Sequence, residues 1–396
     1  MFWQKRFDGF AARLRQHDIP VVVELWNGRE VALGTAPTVR IRIRHVAALR
    51  HFLKPSLASL GHAYVEGDID VEGRATDLIE AATRLSAHGP ETGERLRRRA
   101  RTSRHSRDVD AEAIAYHYDV SNDFYAQWLD ARMVYSCAYF RSPDDSLEDA
   151  QLQKIDHVLQ KLRIRPGDRL LDIGCGWGAL VLRAAEHFGA RALGITLSRN
   201  QCEFARERIA AAGLADRCEV RIEDYRDVAG RFDRIASIGM FEHVGLKHLR
   251  GYFARVRDLL ADDGVVLNHG ITSTDPDSAE TPWGGGEFIS RHVFPHGELP
   301  HISLALKEMC AGGLEPVDAE NLRRHYAMTL THWSRRFEDA GRRLADLVGE
   351  KRYRIWRVFL AGSAEGFGQH HLSLFQVLAV RTGSNALPLT RDYMYR

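Results

Sequence analysis

The decapeptide "RLLDIGCGWG", Arg169–Gly178, runs an apolar stretch straight into a turn with glycine at 174, 176 and 178. Leu170, Leu171 and Ile173 suit a strand buried on both faces, and "ALVLRAAEHF" (179–188) continues with apolar residues at helical spacing. Glycines there let the backbone bend sharply, let a ligand approach the main chain, and let helix and strand pack closely. Working outward, the alternation repeats. "ARALGITLS" (190–198) is a strand and "RNQCEFARERIAAAG" (199–213) a helix. "CEVRIEDY" (218–225) and "FDRIASIGMF" (232–241) are strands, followed by the helix "LKHLRGYFARVRDLLADDG" (246–264) and the strand "VVLNHGI" (265–271). Such alternation predicts an α/β fold with a parallel, doubly wound sheet and helices on both faces. Beyond about Thr272 the pattern is less regular: "WGGGEFISRHVFPHGELP" (283–300) is a loop region, and helices are expected at 301–313 and 331–364.

The whole chain, 396 residues, exceeds the size at which single cores stop growing, so two domains are expected. A 44% hydrophobic, 27% charged composition with a net charge of +2 gives no reason to expect a nucleic-acid partner. Five cysteines, an odd number without CxxC spacing, fit neither a disulfide scaffold nor a zinc cage, and they suit a reducing cytosol. No apolar run approaches the roughly 18–20 residues of a membrane span. The start, "MFWQKRFDGF", lacks a signal-peptide core, so a cytoplasmic location is expected. Residues 19–80 form a small mixed unit, with a hairpin around Asn27-Gly28 and an alternating strand in "VRIRIRHV" (39–46). Between Arg95 and Arg107 lie seven arginines: either a solvated charged face or a contact for an anionic membrane surface.

The glycine turn alone is compatible with a dinucleotide, with a purely structural turn, or with S-adenosylmethionine (AdoMet). The spacing of Asp172 two residues before Gly174 favours AdoMet, and no phosphate-gripping Lys or Arg lies in the turn. A ribose-binding acid is expected at the end of the second strand; this chain has Thr196 there, so the ribose falls to hydroxyl and amide groups, Thr196 and Gln201. "GMFEHVG" (239–245) leaves the carboxyl end of a strand on Glu242 and His243, at the sheet edge where ligands bind.

With these segments in view, the chain resembles the cyclopropane-fatty-acyl-phospholipid synthases and the related mycolic acid cyclopropane synthases. The resemblance rests on "AYHYDVSNDFY" (115–125), "VYSCAYF" (134–140), "LLDIGCGWG", "GITLSRNQ" (194–201), "GMFEHVG", "NHGI" (268–271), "FPHGELP" (294–300) and "HYAMTL" (325–330), in family order. "GHAYVEGDIDVEG" (61–73) is similar to the extra domain of phospholipid-acting members. The resemblance implies a Rossmann-like class I AdoMet-dependent methyltransferase domain from 111 to 396, a basic linker at 96–110, and a smaller amino-terminal α+β lipid-associating domain at 1–95. It implies AdoMet contacts at Tyr135, Ser136, Gly174, Gly176, Thr196, Gln201, Asp224 and Tyr225, beside Asp172 of the turn. A bicarbonate site is implied at Cys137, Glu242, His269, Ile271 and Tyr326.

The implied substrate is membrane phospholipid with unsaturated acyl chains, reached by peripheral association with the inner face of the cell membrane. A homodimer stays open as an assembly state. An alkene that attacks the sulfonium methyl leaves a carbocation, and ring closure requires a base within contact distance. Bicarbonate held by these residues is that expected base, and Tyr139, Phe140 and Phe241 could face the cation. Each residue also has a plainer role: Cys137 as a small buried hydrophobe, His269 as a core histidine, Tyr326 in packing, His243 in structure. The remaining histidines lack metal spacing, so no metal is expected. Three departures bear on the product: Ser363 stands where many members carry cysteine, Gly270 replaces the usual threonine, which is expected to widen the pocket, and the carboxyl end "LPLTRDYMYR" (387–396) differs from that of phospholipid-acting members. The same cation could instead yield methyl- or methylene-branched chains. A non-catalytic lipid-binding protein on this fold is the alternative of another class.

Overall fold

The computed structural model describes residues 2–53, 55–87, 120–276, 285–294 and 297–395. The basic linker and the first five residues of "AYHYDVSNDFY" lie outside them. The chain divides into two compact units: Met1–Thr102 with Glu280–Pro295 and Trp333–Gly366, and Ser103–Ala279 with His296–His332 and Phe367–Arg396. The smaller unit thus takes in two segments that a division at 95 and 111 assigns to the catalytic domain.

In the smaller unit, β1 (Val21–Glu24) and β2 (Glu30–Ala32) form the expected hairpin, with Gly28 at φ 80. β3 (Val39–Ile43) joins β1 in parallel, and β4 (Ile69–Glu72) pairs with β3 antiparallel. β1 and β3 alternate buried and half-buried residues, so one face carries the core of Val21, Val23, Ile41, Ile43 and the helix Phe2–Leu14. Residues 333–366 belong to this unit for a clear polar reason. Arg357, buried, donates to the Tyr64 hydroxyl (3.0 Å), the Gly73 carbonyl (2.6 Å) and Glu338 (3.1 Å), and Arg354 pairs with Asp70 at 2.7 Å.

The larger unit is built on seven strands: β5 (Arg169–Ile173), β6 (Arg191–Thr196), β7 (Cys218–Ile222), β8 (Phe232–Ile238), β9 (Leu260–Ser273), β10 (Leu314–Asn321) and β11 (Leu372–Arg381). Their order is β10-β11-β9-β8-β5-β6-β7. β9, β8, β5, β6 and β7 are parallel, as the alternation predicts, and β11 alone runs opposite to its neighbours. β10 and β11 lie in the stretch beyond Thr272, where the sequence pattern is less regular. β10 is an edge strand carrying Pro316 beside a register shift, a place where proline is tolerated. The helix expected at 331–364 is three helices, Arg323–Ala340, Arg342–Val348 and Glu350–Gly368, punctuated at Gly341 and Gly349 by positive φ. Strand order reverses at β5, between β8 and β6, so the crevice at that carboxyl edge is the default ligand site.

Candidate active site

At this edge the turn after β5 takes Gly174, Gly176 and Gly178 to φ 80, 53 and 82, the left-handed region that only glycine enters freely. A Cβ on Gly178 would stand 2.9 Å from the Ala205 Cβ, so this glycine lets the helices Ala179–Phe188 and Arg199–Ala211 meet. At Gly176 a Cβ would meet nothing within 4 Å, because that face looks into open space. The amides of Gly174 and Cys175 donate to the Ile195 carbonyl at 3.0 and 2.9 Å, which ties the turn to the end of β6.

A cavity of about 520 Å³ opens over the turn, and all nine residues expected at the cofactor line it. Tyr135 and Ser136 come from the loop before the helix Leu147–Lys161, Asp172, Gly174 and Gly176 from β5 and its turn. Thr196 and Gln201 follow β6, and the Thr196 hydroxyl donates to the Gln201 side-chain carbonyl at 2.7 Å, which orients the amide. Asp224 and Tyr225 follow β7. The Asp224 carboxylate is engaged by Arg226 through Nε and Nη2 at 2.8 and 2.6 Å, while Tyr225 packs edge-on against Tyr252. Asp172 is buried with Oδ1 lacking a hydrogen-bond partner among the described residues, and burial raises its carboxyl to about 7 against the pull of Lys154.

The five residues of the expected bicarbonate site lie outside the lining of that cavity, joined by backbone contacts. β8 ends in a 3-10 turn, Phe241–His243, that buries Glu242. Glu242 Oε1 accepts from the Ile271 amide at 2.6 Å, so the carboxylate lies against β9. His269 and Ile271 are two apart on β9 and share a face. Ile271 is opposite Leu374 in β11; the Leu374 carbonyl accepts from the Leu322 amide at 2.8 Å, and the Leu322 carbonyl in turn accepts from the Tyr326 amide at 3.0 Å. The Cys137 thiol is 3.9 Å from that same Leu322 carbonyl. Tyr326 packs its ring on Phe367 at 4.7 Å.

Burial sets the chemistry of these groups. Glu242 is raised to about 7, the Ile271 amide opposing, so it can take or release a proton near neutrality. His269 is pushed well below the usual imidazole value by burial and stays neutral. The Gln376 amide nitrogen is 3.2 Å from His269 Nδ1; with Gln376 as donor, Nε2 carries the ring proton. Glu242 Oε2 and His269 Nε2 are both buried, without a hydrogen-bond partner among the described residues. Cys137 is pushed far up by burial and remains a thiol, which leaves it only a weak S–H donor.

The mycolic acid cyclopropane synthetase family matches residues 105–377, and a domain family of unknown function matches residues 12–88. The chain belongs to the mycolic acid cyclopropane synthetase family. A probable fatty acid methyltransferase of Pseudomonas putida is 46% identical over 388 residues, covering 97% of this chain and 98% of its own. The cyclopropane-fatty-acyl-phospholipid synthase of Escherichia coli is 37% identical over 279 residues, 69% of each chain. The crystal structure of mycolic acid cyclopropane synthase CmaA1 complexed with SAH and CTAB superposes with a TM-score of 0.65 at 34% identity, covering 68% of this chain and 97% of that one. This member of the synthetase family is therefore an AdoMet-dependent methyltransferase on a Rossmann-like fold, and the glycine cradle and the lined cavity fit that cofactor.

Four residues of this synthetase-family chain differ from the sequence expectation or lie beyond it. Gly270 does not widen a pocket: a Cβ there would stand 2.0 Å from Phe241 Cε1, because the Phe241 ring fills the space that a side chain would take. Tyr139 stacks against His157 at 4.3 Å and His325 at 4.8 Å, so its π surface is already engaged. Lys154 and Gln376, buried and at the site, carried no motif. For Lys154 a signal existed: Gln151, Lys154 and Lys161 occupy the buried stripe of the helix Leu147–Lys161, where apolar residues belong.

Proposed function

We propose that this enzyme transfers a methylene unit from AdoMet to the cis double bond of unsaturated acyl chains in membrane phospholipids, forming a cyclopropane ring, with bicarbonate as the base. The observation that carries this reading is the pair of buried, unpartnered polar atoms, Glu242 Oε2 and His269 Nε2. One is an acceptor, the other an N–H donor, and that donor–acceptor pair fits an anion that itself carries a proton. Bicarbonate bound there, with Cys137, Ile271 and Tyr326 completing the cradle, would supply the proton acceptor. The π electrons form a bond to the sulfonium methyl carbon, and the S–C pair leaves with sulfur. The C–H pair of the new methyl then closes the ring as its proton departs. Glu242, raised to about 7, receives and releases that proton near neutral pH, while neutral His269 holds the anion.

A second reading, a fatty-acyl methyltransferase giving methyl- or methylene-branched chains, is favoured by the name of the relative that spans 97% of this chain. Purified enzyme, methyl-13C AdoMet and vesicles of unsaturated phospholipid separate the two, with NMR and mass spectrometry of the fatty acids. A labelled ring that forms faster with added bicarbonate is expected. A labelled methyl or methylene branch establishes the second reading, and a bicarbonate-indifferent ring removes the assigned base. The 1–95 region as lipid-associating and the 96–110 linker as a contact for anionic headgroups belong to this same proposal. Sedimentation with anionic vesicles that weakens between 0.1 and 1 M salt is expected, since the Debye length shrinks from about 10 to about 3 Å.

A further inference from the structure

Lys154 is 3% exposed, yet its side chain lines the cofactor cavity. Its Nζ donates to the Ser136 hydroxyl at 2.8 Å and, among the described residues, has no carboxylate at ion-pair distance. The carboxylate groups that influence it are otherwise engaged or held back. Asp130 accepts from the amides of Val134 (2.9 Å) and Arg132 (3.1 Å), and both Asp130 and Asp172 are raised by burial. Burial pushes this ammonium down to about 8, and a buried ammonium left with one hydroxyl is unfavourable unless an anion meets it. The other cations of the cavity are committed elsewhere or lie in solvent. Arg226 is held by Asp224, Arg255 donates to the Tyr225 and Val228 carbonyls, and Lys247 is exposed.

AdoMet carries one carboxylate, on its methionyl end, and a ligand seated on the glycine turn must place that end against one wall of the cavity. We propose that Lys154, together with the Ser136 hydroxyl, binds the α-carboxylate of AdoMet. Asp172, whose Oδ1 has no hydrogen-bond partner among the described residues, can then accept from the α-ammonium, whose positive charge favours the ionised carboxylate. This assignment depends on AdoMet use and not on which lipid product forms.

The test compares two unreactive ligands by calorimetric titration: S-adenosylhomocysteine, which keeps the amino-acid end, and 5′-methylthioadenosine, which lacks it. Lys154→Gln and Lys154→Met should each weaken S-adenosylhomocysteine about 10- to 100-fold, the scale of a charged hydrogen bond, and leave 5′-methylthioadenosine within about twofold. Equal weakening of both ligands, or none, overturns the proposal. If neither variant folds, NMR of the lysine Nζ groups in the wild-type protein decides it: one ammonium signal from a buried lysine should shift with S-adenosylhomocysteine and not with 5′-methylthioadenosine. No such difference would overturn the assignment.

Discussion

Replacing Glu242 by glutamine should make the ligand-free enzyme more stable at pH 8 while slowing turnover. The carboxyl is buried, and it is raised from the usual 4.5 to about 7, first by burial and against the Ile271 hydrogen bond. In the unfolded chain it titrates at the ordinary value, so between about pH 4.5 and 7 the folded protein binds more protons than the unfolded one. Stability from this group is therefore fully present below pH 4.5 and lost as the pH rises through 7. A displacement of about 2.5 pH units, at about 1.4 kcal/mol each, amounts to about 3.5 kcal/mol in full, of which the window from pH 5 to 8 covers the larger part. Glutamine keeps the volume and can keep the Ile271 hydrogen bond, but it has no titration. Denaturant unfolding of wild type and Glu242→Gln at a series of pH values from 5 to 8 measures the difference. The variant should gain on the wild type by about 2–3 kcal/mol across that range, other titrating groups being common to both. A difference that stays flat with pH would mean that Glu242 is not held near neutrality, and its role in moving the proton would fall with it. In the same protein turnover should drop by about 10²–10⁴-fold with S-adenosylhomocysteine affinity retained.

Gly270→Ala should lower stability by about 1–3 kcal/mol through the clash with Phe241, and Phe241→Leu in that background should recover part of it; thermal melts of the four proteins test the pair. Gly176→Val forces valine to φ 53 and fills the open face of the turn, so titration with S-adenosylhomocysteine should show binding abolished, and unchanged affinity would contradict the assignment of the turn. Gln376→Leu leaves His269 Nδ1 without its partner; turnover should fall roughly 10- to 100-fold through misplacement of the ring, with cofactor affinity unmoved.

The glycine turn and the alternation that follows it were legible in the sequence, because each is local: strand, turn and helix periods reside in neighbouring residues. The nine residues expected at the cofactor came from that turn and from the family resemblance, and folding brings all nine to the lining of one cavity. Residue types such as Glu242 and His269 could be named as well, through ordered motifs. What only the tertiary structure decided is what lies across space. β10 and β11 come from a stretch with weak local pattern, and β11 becomes a strand by pairing with β9 on one side and β10 on the other. Gly270 looked like added room, yet it is where Phe241, 29 residues away, packs its ring. Lys154 and Gln376 read as ordinary polar residues until folding buried them, one in the cofactor cavity and one against His269. The raised titration of Glu242 and the neutrality of His269 follow from the same cause. Sequence supplies the chemical group, but desolvation, which sets whether it holds a proton, exists only once distant segments close around it.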